Sequence, residues 1–205
     1  MASDALNNLK MRLSDVQQLV DAHGALVRLK RAEEGHAAAA GDLSKIVRVI
    51  EALVSSPGRG RPPQVQALNS AAIALLSGHL QGFLTDLHAE TASALFTGKV
   101  DSLKALIEAS PTQGNPNEHN INRLFASLGF ARILDGISWQ KMGNDALRKK
   151  LRKFNELRNR VAHGAGETVS KNQVVNYMQV WSSFANRLDR KVSDEIEKQI
   201  GEAPW

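Results

Sequence analysis

Arg158 and His163 stand five positions apart in the segment Arg158-Asn159-Arg160-Val161-Ala162-His163-Gly164, at the close of a basic amphipathic stretch. An imidazole that titrates near neutrality can take or give a proton at working pH, and a guanidinium beside it can hold a phosphate and the charge that develops there. With RNA, such a pair suffices in principle for attack of a 2′-hydroxyl on the adjacent phosphate, with no metal. Helix geometry alone does not bring the two together, since five residues at 100 degrees each leave them about 140 degrees apart. The histidine therefore belongs at or beyond a helix end, where Gly164 and Gly166 permit the left-handed turn that closes a helix. Asn159, four residues before His163, is placed to orient the ring if the last turn holds.

The helix leading into this segment carries apolar residues at Leu147, Leu151, Phe154, Leu157 and Val161, spacings of three and four that describe one face. Arg158 falls on that same face, so a permanent charge points where the pattern asks for an apolar side chain. A guanidinium there must be paired or must line a cleft. Two readings stay open: a buried ion pair with Glu90 or Asp86 of a central helix, with His163 merely favoured by the helix C-terminus, or a working arginine. From Asn144 to Glu167 the chain has seven basic residues against Asp145, Glu156 and Glu167, whereas residues 1–56 carry seven basic and seven acidic side chains. Lys149, Lys150, Arg152, Lys153 and Arg160 thus form a basic stripe beside the candidate pair. Such a stripe attracts phosphate-bearing partners, unless it is only a solvated helix face.

Composition narrows the classes. At 205 residues, 42% hydrophobic and 23% charged, the chain can bury a substantial core and reads as one globular domain with an appendage. The absence of cysteine excludes disulfides, thiolate metal sites and a cysteine nucleophile, and agrees with a reducing cytoplasm. No secretory signal opens the chain, and the longest apolar run, Ala71 to Leu76, is far short of the roughly 20 residues that span a bilayer. The expectation is a cytoplasmic protein with no membrane association. His23, His36, His79, His88, His119 and His163 show no ligand spacing, so no metal and no cofactor is expected. Glycine-rich phosphate loops, nucleophile elbows and zinc-finger patterns are missing too. Trp139, Trp181 and Trp205 are too dispersed for a stacking platform, and Trp181 lies on an apolar stripe that reads as core.

These residues need elements to hold them. Leu6, Leu9, Leu13, Val16, Val20 and Val27 predict a helix over 3–34 with a coiled-coil-like seam, in which His23 takes one position. Leu43 to Val54 predicts a second helix, making a hairpin of residues 1–56. Residues 57–63, rich in Pro, Gly and Arg, read as a linker. Beyond it, residues 64–205 form the main helical domain. A long helix from Val65 to Leu95 is apolar enough to be central, with His79 packed within it. A short helix spans Val100 to Ile107, and another, capped by Asn117 and ended near Gly129, carries Ile121, Leu124, Phe125 and Leu128. Asn144 is expected to cap the basic helix, and Ser170-Lys171-Asn172-Gln173 opens the last one as a capping box. No strand alternation is visible, so the class is all-α.

Leu157 to Gly164 closely resembles the Arg-Asn-x-x-x-His pattern of the HEPN superfamily of nucleotide-binding helical domains. Ala67-Leu68-Asn69-Ser70-Ala71-Ala72, Phe83-Leu84-Thr85-Asp86-Leu87 and Asn115-Pro116-Asn117 through Phe125 resemble its RiboL-PSP-type branch, in order, over about residues 64–200. The resemblance implies an antiparallel helical bundle that pairs as a homodimer, bringing two Arg/His motifs into one cleft. It further implies a metal-independent endoribonuclease acting on RNA in a toxin–antitoxin, phage-defence or RNA-processing setting, with an antitoxin or defence-system protein as a possible partner. Arg158 and His163 would then be the catalytic pair and Asn159 the supporting polar residue. One departure stands out: His79-Leu80-Gln81-Gly82 occupies the stretch where an acidic or similar residue is expected, and Gln81 cannot act as a carboxylate. The alternative is accordingly a non-catalytic HEPN module that binds RNA, a nucleotide or a partner protein.

Overall fold

The computed structural model describes residues 1–36, 63–96, 105, 114–140, 142–164 and 168–205. Among these it contains five helices and no strand: α1 (Asp4–His36), α2 (Pro63–Leu95), α3 (Glu118–Ala126), α4 (Asn144–Ala162) and α5 (Lys171–Ile200). A single isolated bridge joins Trp139 to Met142. The all-α expectation is met. The second hairpin helix expected through Leu43 to Val54, the linker up to Pro62 and the short helix expected from Val100 to Ile107, apart from residue 105, lie outside the described residues.

α2 is the central element, as its apolar sequence implied, and packs against each of the other four helices. It opens at Pro63 itself, a residue whose fixed φ suits a first helical position. Its buried stripe of Ile73, Leu76, Leu80, Phe83 and Leu87 recurs every three or four residues and faces one continuous core. The seam of α1, with Leu6, Leu9, Val16, Val20 and His23 buried, joins that same core by packing on α2 and α5. Polar bonds fix its start. Ser3 Oγ accepts from the Leu6 amide at 3.0 Å, and Glu90 of α2 accepts from the amides of Asp4 and Ala5 at 3.0 and 2.6 Å. Asp189 of α5 accepts from the Ser3 amide at 3.4 Å. Two carboxylates thus meet the positive end of a helix dipole and satisfy amides that α1 cannot satisfy itself.

α3 and α5 begin as the sequence indicated. Asn117 accepts from the Asn120 amide at 2.8 Å, and Ser170 and Gln173 form the capping box of α5. α4 does not. Gly143 is its N-cap, and Asn144 is the first helical residue, its side-chain Nδ2 donating to the carbonyls of Leu134 and Ile137. The asparagine that was expected to cap the helix instead ties its start to the turns after α3, whose exposed carbonyls need a donor. α4 then lays Leu147, Leu151, Phe154 and Leu157 into the core. Phe154 meets Trp181 edge to face at 5.1 Å and Tyr177 at 4.9 Å, which fixes α4 against α5. Asn69, within the buried face of α2, donates to the Val169 carbonyl at 2.8 Å and anchors the approach to α5.

Candidate active site

The end of α4 places the two candidate residues as their spacing required. His163 is the C-cap, outside the regular helix and exposed, with its amide donating to the Asn159 carbonyl at 3.0 Å. Gly164 follows at φ +65, the left-handed conformation that lets the chain leave the helix there. Arg158 is half-buried one turn earlier. Its Nη1 donates to Asn159 Oδ1 at 3.3 Å.

The ion-pair alternative for Arg158 is overturned. Glu90 is occupied with the amides at the start of α1, and Asp86 pairs with Arg12 at 3.1 Å. Among the described residues, no carboxylate lies in ion-pair contact with Arg158. Asn159 also departs from expectation. Its Oδ1 accepts from Asn115 Nδ2 at 2.9 Å as well as from Arg158, so the side chain joins the loop before α3 to the arginine rather than orienting the His163 ring.

Arg148, Arg152, Asn155 and Asn159, at helical spacings of four, three and four, form one face of α4 that floors a cleft of about 550 Å3. Asn115, Asn117, His119 and Asn122 line its other side. Arg148 is not a free cation there, because Glu118 at 3.1 Å and Asp135 both pair with it and brace the wall. Arg152 is exposed at the cleft. Lys149, Lys153 and Arg160 lie about 100 degrees round the helix, also exposed. Lys150 points elsewhere: its ammonium donates to Asn176 at 2.6 Å and sits 4.7 Å above the Tyr177 ring. Burial, and then the neighbouring Lys153, lower its pKa. The stripe read as five equivalent cations therefore divides into four exposed ones and one held by α5.

Other histidines are separate from this site. His79 faces Asp15 of α1 at 3.7 Å, with its pKa lowered mainly by burial. His88 contacts Ser127 at 3.0 Å and Phe125 edge-on, and burial lowers its pKa to about 4. No group of three or more potential metal ligands gathers among the described residues.

The model of the RiboL-PSP-HEPN family matches residues 41–194. The chain belongs to that family. The match takes in α2 to α4 and most of α5, and it starts after α1. No curated protein matches the chain, and no solved structure does. In this HEPN domain, the cleft residues that the sequence reading missed are Asn115, His119, Asn122, Arg148 and Asn155. Arg148, Asn155 and Asn159 do share a helical face with Arg152, a signal present in the spacing. The α3 side of the cleft had none, since only folding brings it opposite α4. No helix among the described residues is long and apolar enough to cross a membrane.

Proposed function

We propose that this HEPN domain is a metal-independent endoribonuclease whose working groups are Arg158, His163 and Asn159. The observation that carries the reading is the half-buried Arg158, held by an amide and left without a carboxylate partner among the described residues, one turn from an exposed histidine. A guanidinium in that condition retains its capacity for an anion, and a phosphodiester supplies one.

In the reaction, one imidazole accepts the proton of a ribose 2′-hydroxyl while that oxygen attacks the adjacent phosphorus. Arg158 carries the added charge on the phosphoryl oxygens. The bond from phosphorus to the 5′-oxygen breaks, a protonated imidazole supplies its proton to the leaving oxygen, and a 2′,3′-cyclic phosphate remains. Base and acid are two roles, and a homodimer with two copies of His163 facing one cleft provides both. Asn159 holds the guanidinium, while Arg152, Lys149, Lys153 and Arg160 attract the strand. A cytoplasmic setting in RNA processing, phage defence or a toxin–antitoxin pair fits such an activity.

The bond of Asn159 to Asn115 rather than to the imidazole favours a second reading, a non-catalytic module that binds RNA, a nucleotide or a protein in the same cleft. Incubation of the purified protein with mixed RNAs in EDTA separates the two. The enzyme yields cyclic-phosphate ends that His163→Ala does not. Intact RNA throughout, with affinity reduced in Arg158→Ala, identifies the binder.

A further inference from the structure

Asn155 is buried to 7% exposure and lines the cleft, yet only its side-chain nitrogen is hydrogen-bonded. Its Nδ2 donates to the Pro116 carbonyl at 3.1 Å. A carbonyl only accepts, so the nitrogen must face Pro116 and the oxygen must face the other way. That oxygen has no partner among the described residues. A buried acceptor left in this state destabilises the fold, and an incoming N–H would remove that cost.

The rest of the cleft complements that acceptor. The side-chain oxygens of Asn117 and Asn122 are engaged by the amides of Asn120 and Leu134, so each presents its nitrogen as a donor. His119 is exposed on one wall and offers a flat ring, and Arg152 offers a cation. With Glu118 paired to Arg148 and Glu156 exposed at the edge, a buried acceptor, several donors, a ring and a cation match a nucleotide: a base edge with an N–H beside acceptors, a face to stack and a phosphate. A volume of about 550 Å3 suits a ligand of this size.

We infer that this cleft is a nucleobase pocket that selects for an exocyclic amino group, with Asn155 Oδ1 as its acceptor. Asn155 Oδ1 is closed to solvent, so a ligand's donor reaches it only when neighbouring side chains shift, and a projecting donor requires the smallest shift. The amino group of adenine or cytosine projects from its ring. The N–H of uracil is recessed between two carbonyls, whose oxygens would approach Asn155 Oδ1 and repel it. The inference rests on the ribonuclease reading for its RNA substrate, since Asn159 joins the pocket to Arg158, but its test does not require cleavage.

The wild-type protein is titrated calorimetrically with the 5′-monophosphates of adenosine, cytidine, uridine and purine riboside, the last being adenosine without its amino group. The adenosine and cytidine compounds should bind about tenfold more tightly than the other two, within the range of a single base contact. Asn155→Leu should level the series. Equal binding of adenosine and purine riboside monophosphates, or no binding by any of the four, overturns the pocket. Should Asn155→Leu fold poorly, the ligand series on wild type still decides. A cleavage assay on the same preparation keeps the two readings apart: amino-dependent binding without cleavage overturns the ribonuclease and leaves the pocket standing.

Discussion

Two faces of α4 have the same backbone and opposite fates. One carries Leu147, Leu151 and Phe154 into the core, and even its neighbouring cation, Lys150, is covered by Asn176 and Tyr177. The other carries Arg152, Asn155 and Asn159 along a cleft and ends at the exposed His163. On the covered face polar groups find protein partners. On the open face an asparagine oxygen has no partner among the described residues, and at the border between the two faces Arg158 bonds, among them, only to the Asn159 side chain. Covered, satisfied groups hold a fold together, whereas buried or half-buried groups left short of partners mark where a ligand completes the structure.

The sharpest way to break this contrast is to truncate one residue on each face. Phe154→Ala should cost about 3–5 kcal/mol by emptying the aromatic contact with Trp181, read by denaturant unfolding. Next in size, His163→Ala and Arg158→Ala should each lower cleavage by roughly a hundredfold or more with little change in melting temperature. The double variant should be scarcely worse than either single one, because a concerted site already fails when one member is gone. Should Arg158→Ala destabilise the fold as much as Phe154→Ala does, Arg158 is one more covered, structural group and the contrast collapses.

Local chemistry explains what the sequence disclosed. The capping box at Ser170, the Asn117 cap and the exit of His163 from α4 depend on residues within a turn of one another, and each was legible. Periodicity likewise announced α2 as central. What escaped depends on groups distant in the chain. The partner of Asn144 is the pair of carbonyls at Leu134 and Ile137, the partner of Asn159 is Asn115, and Lys150 is claimed by Asn176. A helical face can be read from spacing, but the element that covers it cannot. The cleft wall contributed by α3 was invisible for the same reason.

Burial among covered side chains also governs the titration of His88. His88 stays neutral down to about pH 4, while in the unfolded chain it titrates at its ordinary 6.5. Below pH 6.5 the unfolded state therefore binds a proton that the native state refuses, and stability falls with falling pH. Between pH 7 and pH 5 the loss from this group is about 2 kcal/mol. Glu90 and Asp189 work the other way, because burial raises both, so the native state takes up their protons first and gains stability on acidification. Comparing the unfolding free energies of wild type and His88→Gln at the two pH values isolates the histidine. The variant should lose less on acidification than the wild type does. Parallel curves for wild type and His88→Gln would show that His88 is not held neutral by burial.

The smallest effect tests the division within the stripe. Lys149 and Lys153 are exposed on one ridge of α4, where a phosphate can meet them without displacing a protein partner. Replacing either with alanine should reduce the slope of log affinity against log salt for single-stranded RNA by about 0.7, the release associated with one phosphate contact. Lys150 has the same formal charge but is drawn toward Asn176 and the face of Tyr177, so its ammonium meets the core before it meets a strand. Lys150→Ala should leave the salt slope nearly unchanged and instead lower stability by about 0.5–1 kcal/mol, through the lost cation–π contact. Three lysines in five residues thus give two distinct responses. Equal slope changes in all three variants would mean that Lys150 leaves Tyr177 when RNA arrives, and that the boundary between the faces of α4 moves on binding.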